Sequence, residues 1–395
     1  MTTGSQTIDA DELLKLLGEL VAAPSVNPPG NEIVAARVLE RYLRGRELEP
    51  TIVQRDGDRA NLLCRVPARH RSDGDRKTLL LTSHLDVVPV DDSQCWRHDP
   101  FRATVEAGRV VGRGACDAKG QVAAMALAAT AIARRGELDG DLLLLAVFGE
   151  ERKGLGSKAA VAAGIRADAA IVGEPTQNRL CIGHPGRLQA DLRVGASSTH
   201  PLEAGADRNS VLAMGSLLAF LREHAVALEG QVGGTHGRAR LVPFHMAGGA
   251  PDVLSPPAQT QVLASLWFGH PLTHDDAIRA FEVQLRAFTE ATGIEVEASF
   301  RPGAHPAGVD NDAPIVNEAA AALLAMGMCD EPMVFGASCD MYVFAGAGIP
   351  SIILGPGSLD QCHAANESIG IDELTAAAQI YERIASSFLK TEVGA

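Results

Sequence analysis

Apolar residues recur along this chain in two registers, and the register changes twice. Between residues 9 and 22, Leu13, Leu14, Leu16, Leu17 and Leu20 lie at helical spacing behind acidic residues. Pro24 and the Asn27-Pro28-Pro29-Gly30 cluster close that helix, and a second is expected over 32–43. Strand-like runs follow at 61–66 and 78–82, the latter leading straight into Ser83-His84-Leu85-Asp86. An Ala-rich helix is expected over 120–134, after the Gly112-Arg113-Gly114 turn. Residues 141–148 read as a strand whose apolar run, Leu142 to Phe148, is unbroken, as in strands covered on both faces. Another spans 169–172 and ends at Gly173-Glu174-Pro175. This alternation predicts an α/β fold with a mixed, largely parallel sheet covered by helices.

The middle of the chain obeys the other register. Strands at 188–194, 260–268 and 295–300 alternate apolar and polar residues, with helices over 211–224 and 275–292 between them. That is the pattern of an α+β insert with a half-solvated antiparallel sheet. After Arg301-Pro302-Gly303 the first register returns: helix 313–326, strand 351–354, helix 372–389. The expected organisation is a discontinuous domain, 1–186 and 301–395, around an inserted domain, 187–300.

Composition narrows the partners. The formal net charge is −14, whereas nucleic acids and anionic membranes select a basic footprint, so neither is expected. Seven Cys without a C-x-x-C pair do not make a disulfide framework and fit reduced thiols in a cytoplasmic protein. The first twenty residues lack the apolar core of a signal peptide, and runs such as Leu142–Phe148 are too short to span a bilayer. Neither a Gly-x-Ser-x-Gly elbow nor a phosphate-binding P-loop occurs.

The chemistry gathers at the ends of the expected strands. His84 and Asp86, Asp117, Glu150 and Glu151, Glu174, and His363 sit in five short segments, and ligands bind outside the carboxyl ends of strands in open α/β sheets. Adjacent carboxylates after a buried strand, as at Glu150-Glu151, repel unless a cation offsets them. Two His, two Glu and one Asp suit Zn²⁺, and also Co²⁺ or Mn²⁺. Five ligands exceed one tetrahedral site and suit two metals sharing a carboxylate.

These segments resemble the motifs of the M20 metallopeptidase family, which includes acetylornithine deacetylase, succinyl-diaminopimelate desuccinylase, aminoacylases and glutamate carboxypeptidases. The carrying motifs are His-x-Asp-Val-Val-Pro at 84–89, Gly-Arg-Gly-x-x-Asp-x-Lys-Gly at 112–120, Glu150-Glu151 with Gly-x-Gly at 154–156, Gly-Glu-Pro-Thr at 173–176, and His-x-x-Asn-Glu at 363–367. The resemblance implies a zinc-exopeptidase-like domain with an inserted lid and dimerisation domain. It implies two Zn²⁺ bridged by Asp117, one completed by His84 and Glu174, the other by Glu151 and His363. Glu150 becomes the general base, and Asp86 the acceptor of the second ring N–H of His84. His200, with Asn209 nine residues on, matches the lid His and Asn of the family, where the His stabilises an oxyanion in the partner subunit's site. The implied function is cleavage of an amide bond in a small molecule or short peptide by a homodimer.

Three positions depart from the family pattern. Phe268 and Tyr342 stand where many relatives carry Arg, and Asp252 where Asn is usual. Arg clamps carboxylates bidentately and neither aromatic can. These three are therefore expected to line the substrate pocket and to favour a substrate without a free α-carboxylate.

Overall fold

The computed structural model describes residues 8–69, 76–91, 95–136, 138–196, 200, 202, 208–237, 239–250 and 252–390. His70 and the Ser197-Ser198-Thr199 stretch of the lid motif lie outside them. The chain divides into two compact units. One runs to Ile182 and resumes over Val309–Met333 and from Cys339; the other comprises Gly183–Gly308 and Val334–Ser338. The second unit is wider than 187–300 because Gly183–His184 pairs antiparallel with Ala307–Gly308 at its ends.

The first unit is built on a six-stranded sheet in the order Thr51–Gln54, Ala60–Val66, Asp141–Val147, Thr78–His84, Ala169–Val172, Ser351–Ile353. The last four run parallel and the first two add antiparallel pairings. The strands Asp141–Val147, Thr78–His84 and Ala169–Val172 are buried almost throughout, which fits the apolar runs Leu142–Val147, Leu79–Leu81 and Ala169–Val172 within them. Helices Ala10–Val21, Ile33–Arg44, Lys119–Arg135, Pro314–Ala325 and Ile371–Phe388 contribute to one apolar core with the sheet. Asp9 caps the first of them by accepting from the N–H groups of Asp11 and Glu12. The helix Lys119–Arg135 buries most of its length, and its alanines allow that close packing.

The second unit holds a four-stranded antiparallel sheet in the order Arg240–Gly248, Gln259–Phe268, Gly186–Gly195, Val296–Pro302. Helices Ser210–Val232 and His274–Thr292 share its core. The first of these runs beyond the expected end at 224, because Leu228 and Val232 continue its buried stripe. Among the described residues it is the one helix long and apolar enough to cross a membrane, and one face of it, with Ala213, Met214, Leu217 and Leu221, packs into this core. The edge strand Arg240–Gly248 was not expected: it is exposed along nearly its whole length, so it shows no burial alternation.

Candidate metal centre

Three neighbouring parallel strands deliver most of the acidic and imidazole groups. His84 ends Thr78–His84, Glu150 and Glu151 follow Asp141–Val147, and Glu174 lies two residues beyond Ala169–Val172. Gly149 turns the chain there with φ 71°, a value that favours glycine, so that the short helical turn Glu150–Arg152 can start at once. Asp117 comes from the loop before Lys119–Arg135, and His363 from the segment after Leu359–Gln361, with φ 61°.

The side chains meet around Asp117. His84 Nε2 lies 2.9 Å from Asp117 Oδ1, and His363 Nε2 lies 3.3 Å from Oδ2 and 3.0 Å from Glu151 Oε1. One carboxylate thus faces two imidazoles with its two oxygens, the disposition a bridging ligand needs. Donor atoms of His84, Asp117 and Glu151 all lie within 4.8 Å of one another.

The electrostatics are those of crowded acids facing two imidazoles. Burial pushes Glu150 and Glu174 well above the usual carboxylate range, and the neighbouring acids, Glu174 beside Glu150 and Asp117 beside Glu174, push further. Glu151 is raised too, chiefly by burial, against the opposing hydrogen bond from His363. Burial also disfavours the charged form of Asp117, but the hydrogen bonds from His363 and His84 outweigh it and hold its pKa low. His84 shows the converse: burial opposes its charge, yet Asp117 and the charges of Glu174 and Glu150 hold its pKa well above the ordinary imidazole value. Hydrogen bonds to Asp117 and Glu151 raise His363 to about 10. The oxygen- and nitrogen-rich donor set is of the kind that holds divalent cations. Asp117, Glu151, Glu174, His84 and His363 fit that use by donor type and placement.

Asp86 departs from its expected role. His84 Nδ1 bonds to the Asp86 backbone carbonyl at 2.9 Å, while the Asp86 carboxylate is 3.6 Å away, beyond hydrogen-bond length. The carboxylate instead accepts from the backbone N–H groups of Glu150 (3.1 Å) and Glu151 (3.2 Å) and from Asn27 Nδ2 (2.9 Å). It fixes the turn that carries the paired glutamates. Asn27 sits in the Pro-rich cluster of the first loop, where nothing but turn chemistry is visible in sequence.

The expected recognition residues have different local settings. Phe268 is fully buried in the second unit's core, with its ring against His274, so it lines no pocket. The strand's alternation puts it on the same inward face as Val262, Ala264 and Leu266. Asp252 lies exposed in a turn. Asn209 caps Ser210–Val232, its side chain accepting from the N–H groups of Val211 and Leu212. His200 is exposed, its Nδ1 accepting from the Leu202 N–H at 3.3 Å. Tyr342 lies in the first unit beside the paired glutamates: its hydroxyl donates to the Lys153 carbonyl at 3.1 Å, two residues after Glu151, and burial followed by the charges of Asp340 and Glu150 raises its pKa. Asp340 itself, buried and bonded to Ser157 Oγ at 2.6 Å, is pushed up to about 6 by burial. The thiols of Cys116 and Cys362 both go to the Ser358 carbonyl at 3.5 Å, and Cys339 is buried.

An open α/β sheet with acids and imidazoles converging at its strand ends defines a metallohydrolase class. Peptidase family M20/M25/M40 matches residues 80–387, most of the chain. Along its whole length the chain is 28% identical to a succinyl-diaminopimelate desuccinylase of Thioalkalivibrio sulfidiphilus, covering 96% of this chain and 99% of that protein. Its fold resembles aminopeptidase PepT of Bacillus cereus, with TM-score 0.77, 19% identity and coverage of 97% and 100%. It also resembles a dinuclear metal-binding M20 peptidase of Bacillus subtilis, with TM-score 0.68, 15% identity and coverage of 96% and 98%. The chain belongs to peptidase family M20/M25/M40 and is a metal-dependent amide hydrolase.

Proposed function

We propose that this protein is a dinuclear zinc deacylase that hydrolyses the amide of an N-acylated small molecule. Asp117, with one oxygen toward His84 and the other toward His363, is the observation that carries the reading. Asp117 would bridge the ions, His84 and Glu174 would complete one site, and Glu151 and His363 the other. When bound, two such ions supply Lewis acidity at the amide carbonyl and make nearby water more acidic. Glu150 is the general base. Among the described residues no hydrogen bond to its carboxyl is found, and burial followed by the charge of Glu174 raises its pKa, which favours taking up a proton. It takes the proton of the attacking water and delivers it to the departing amine. Asp86 orients it by holding its backbone N–H.

His200 is the proposed oxyanion donor, supported by its exposed imidazole and its spacing to Asn209. A homodimer through the second unit is supported by exposed Val242, Phe244 and Met246 on the open edge strand and by Val211, Leu212 and Val226 on the helix Ser210–Val232. Light scattering that found only monomers would remove it. Seven unpaired thiols support a cytoplasmic setting.

Deacylation is favoured over peptide cleavage because the relative matched along the full chain is named for removing a succinyl group. Tyr342 is the one remaining support for a substrate without a free α-carboxylate. A panel of N-acyl amino acids, N-acyl amines and dipeptides on the zinc-loaded enzyme tests both points. Turnover of N-acyl compounds over dipeptides is expected, with carboxylate-free amines accepted. Hydrolysis of dipeptides alone would replace the deacylase reading with a peptidase one.

A further inference from the structure

We infer that Glu367 is a positioning residue for the metal centre: its carboxylate fixes the loop that carries Asp117 and ties it to the segment that carries His363. The inference rests on the metal reading above. Glu367 closes the His-x-x-Asn-Glu motif but touches neither imidazole. Its Oε1 accepts from the backbone N–H groups of Cys116 (2.8 Å) and Asp117 (2.9 Å). Its Oε2 accepts from the Gly114 N–H (3.1 Å) and from Arg113 Nη1 (2.8 Å). Arg113 and Glu367 side chains are each 1% exposed, and Arg113 Nη1 also lies 3.4 Å from the carbonyl of Ala364, the residue after His363.

A buried ion pair is weak evidence for stability, because desolvation offsets the attraction. The geometry supplies a better reason for this one. Three of its four donors are main-chain N–H groups of the loop Gly114–Asp117, which would otherwise lack partners. The loop has little freedom elsewhere: Gly114 takes φ +82°, and a Cβ there would stand 2.6 Å from Val87 Cγ1. Asp117 can then present one oxygen to each imidazole only if its backbone stays where Glu367 holds it. Metal sites tolerate displacements of about 0.5 Å, and loss of a partner that orients a ligand costs about 10–100-fold in metal affinity.

Glu367→Gln in the full chain tests this, because its amide N–H would face the N–H groups of Gly114 and Arg113. Metal affinity, measured by chelator competition, should fall about 10–100-fold. At limiting metal kcat should fall, and excess metal should restore it with KM unchanged. Glu382→Gln is the matched control: Glu382 is a buried partner of Arg135 on the helix Ile371–Phe388. It should lower Tm and leave metal affinity alone. If Glu367→Gln does not fold, Arg113→Gln with Glu367→Gln leaves no buried charge unpaired and should recover Tm while keeping the weakened affinity. Wild-type affinity in either folded Glu367 variant would overturn the inference alone, as would an equal loss in Glu382→Gln. A wild-type protein that takes up no metal would overturn it together with the metal reading.

Discussion

The strand ends of the first unit and the sheet of the second solve opposite problems. At the first, Glu150, Glu151, Glu174 and Asp117 crowd together, and the charges of His84 and His363 work against their mutual repulsion. In the second, side chains along Gln259–Phe268 alternate between the core and its opposite face, and the inward ones are apolar apart from Thr260. A packed sheet satisfies itself. A cluster of acids that raise one another's pKa values does not, and it is there that a cation and catalysis belong.

Phe268→Ala breaks this contrast if Phe268 serves substrate. As a core residue it should cost about 3–5 kcal/mol, read as a fall in Tm, and leave substrate preference unchanged. A changed preference with unchanged Tm would return Phe268 to the pocket. The acid cluster is sharpened by pH. His363 in the metal-free protein titrates near 10, raised from 6.5 by Asp117 and Glu151. The stability this pairing gives the metal-free fold is complete below about 6.5 and is lost as pH rises through about 10. Metals must displace the protons on His363 and His84, so apparent affinity should climb at least about tenfold per pH unit between 7 and 9, with proton release in calorimetry. Affinity flat across that window would remove His363 from the ligand set. Asn209→Ala should cost about 1 kcal/mol through the lost helix cap. A fall in kcat/KM much beyond the loss of folded protein would give Asn209 a role at the substrate as well.

What sequence could reveal follows the same division. His84, Glu151 and Glu174 were legible because each lies at or just past the end of a strand with an apolar stretch, and parallel strands place such ends side by side. Asn27 was not: its partner Asp86 is 59 residues away, and a hydrogen bond across that separation leaves no periodic trace. The turning of Asp86 toward Glu150 and Glu151 was hidden for the same reason. Phe268 differs, because its burial has a signal in the sequence. Counting by twos from Val262 through Ala264 and Leu266 puts it inside. The family correspondence that would send Phe268 to a pocket conflicts with that alternation, which is the physical constraint.

The central claim is that the strand-end cluster holds metals and that Glu150 moves the proton. Metal content and turnover of Glu150→Gln, measured on one metal-loaded preparation beside the wild type, test it most directly. Two metal ions per chain in both proteins are expected, with kcat lower in the variant by about 10²–10⁴-fold. Undiminished turnover in the variant, or a wild type that binds no metal, would contradict the account.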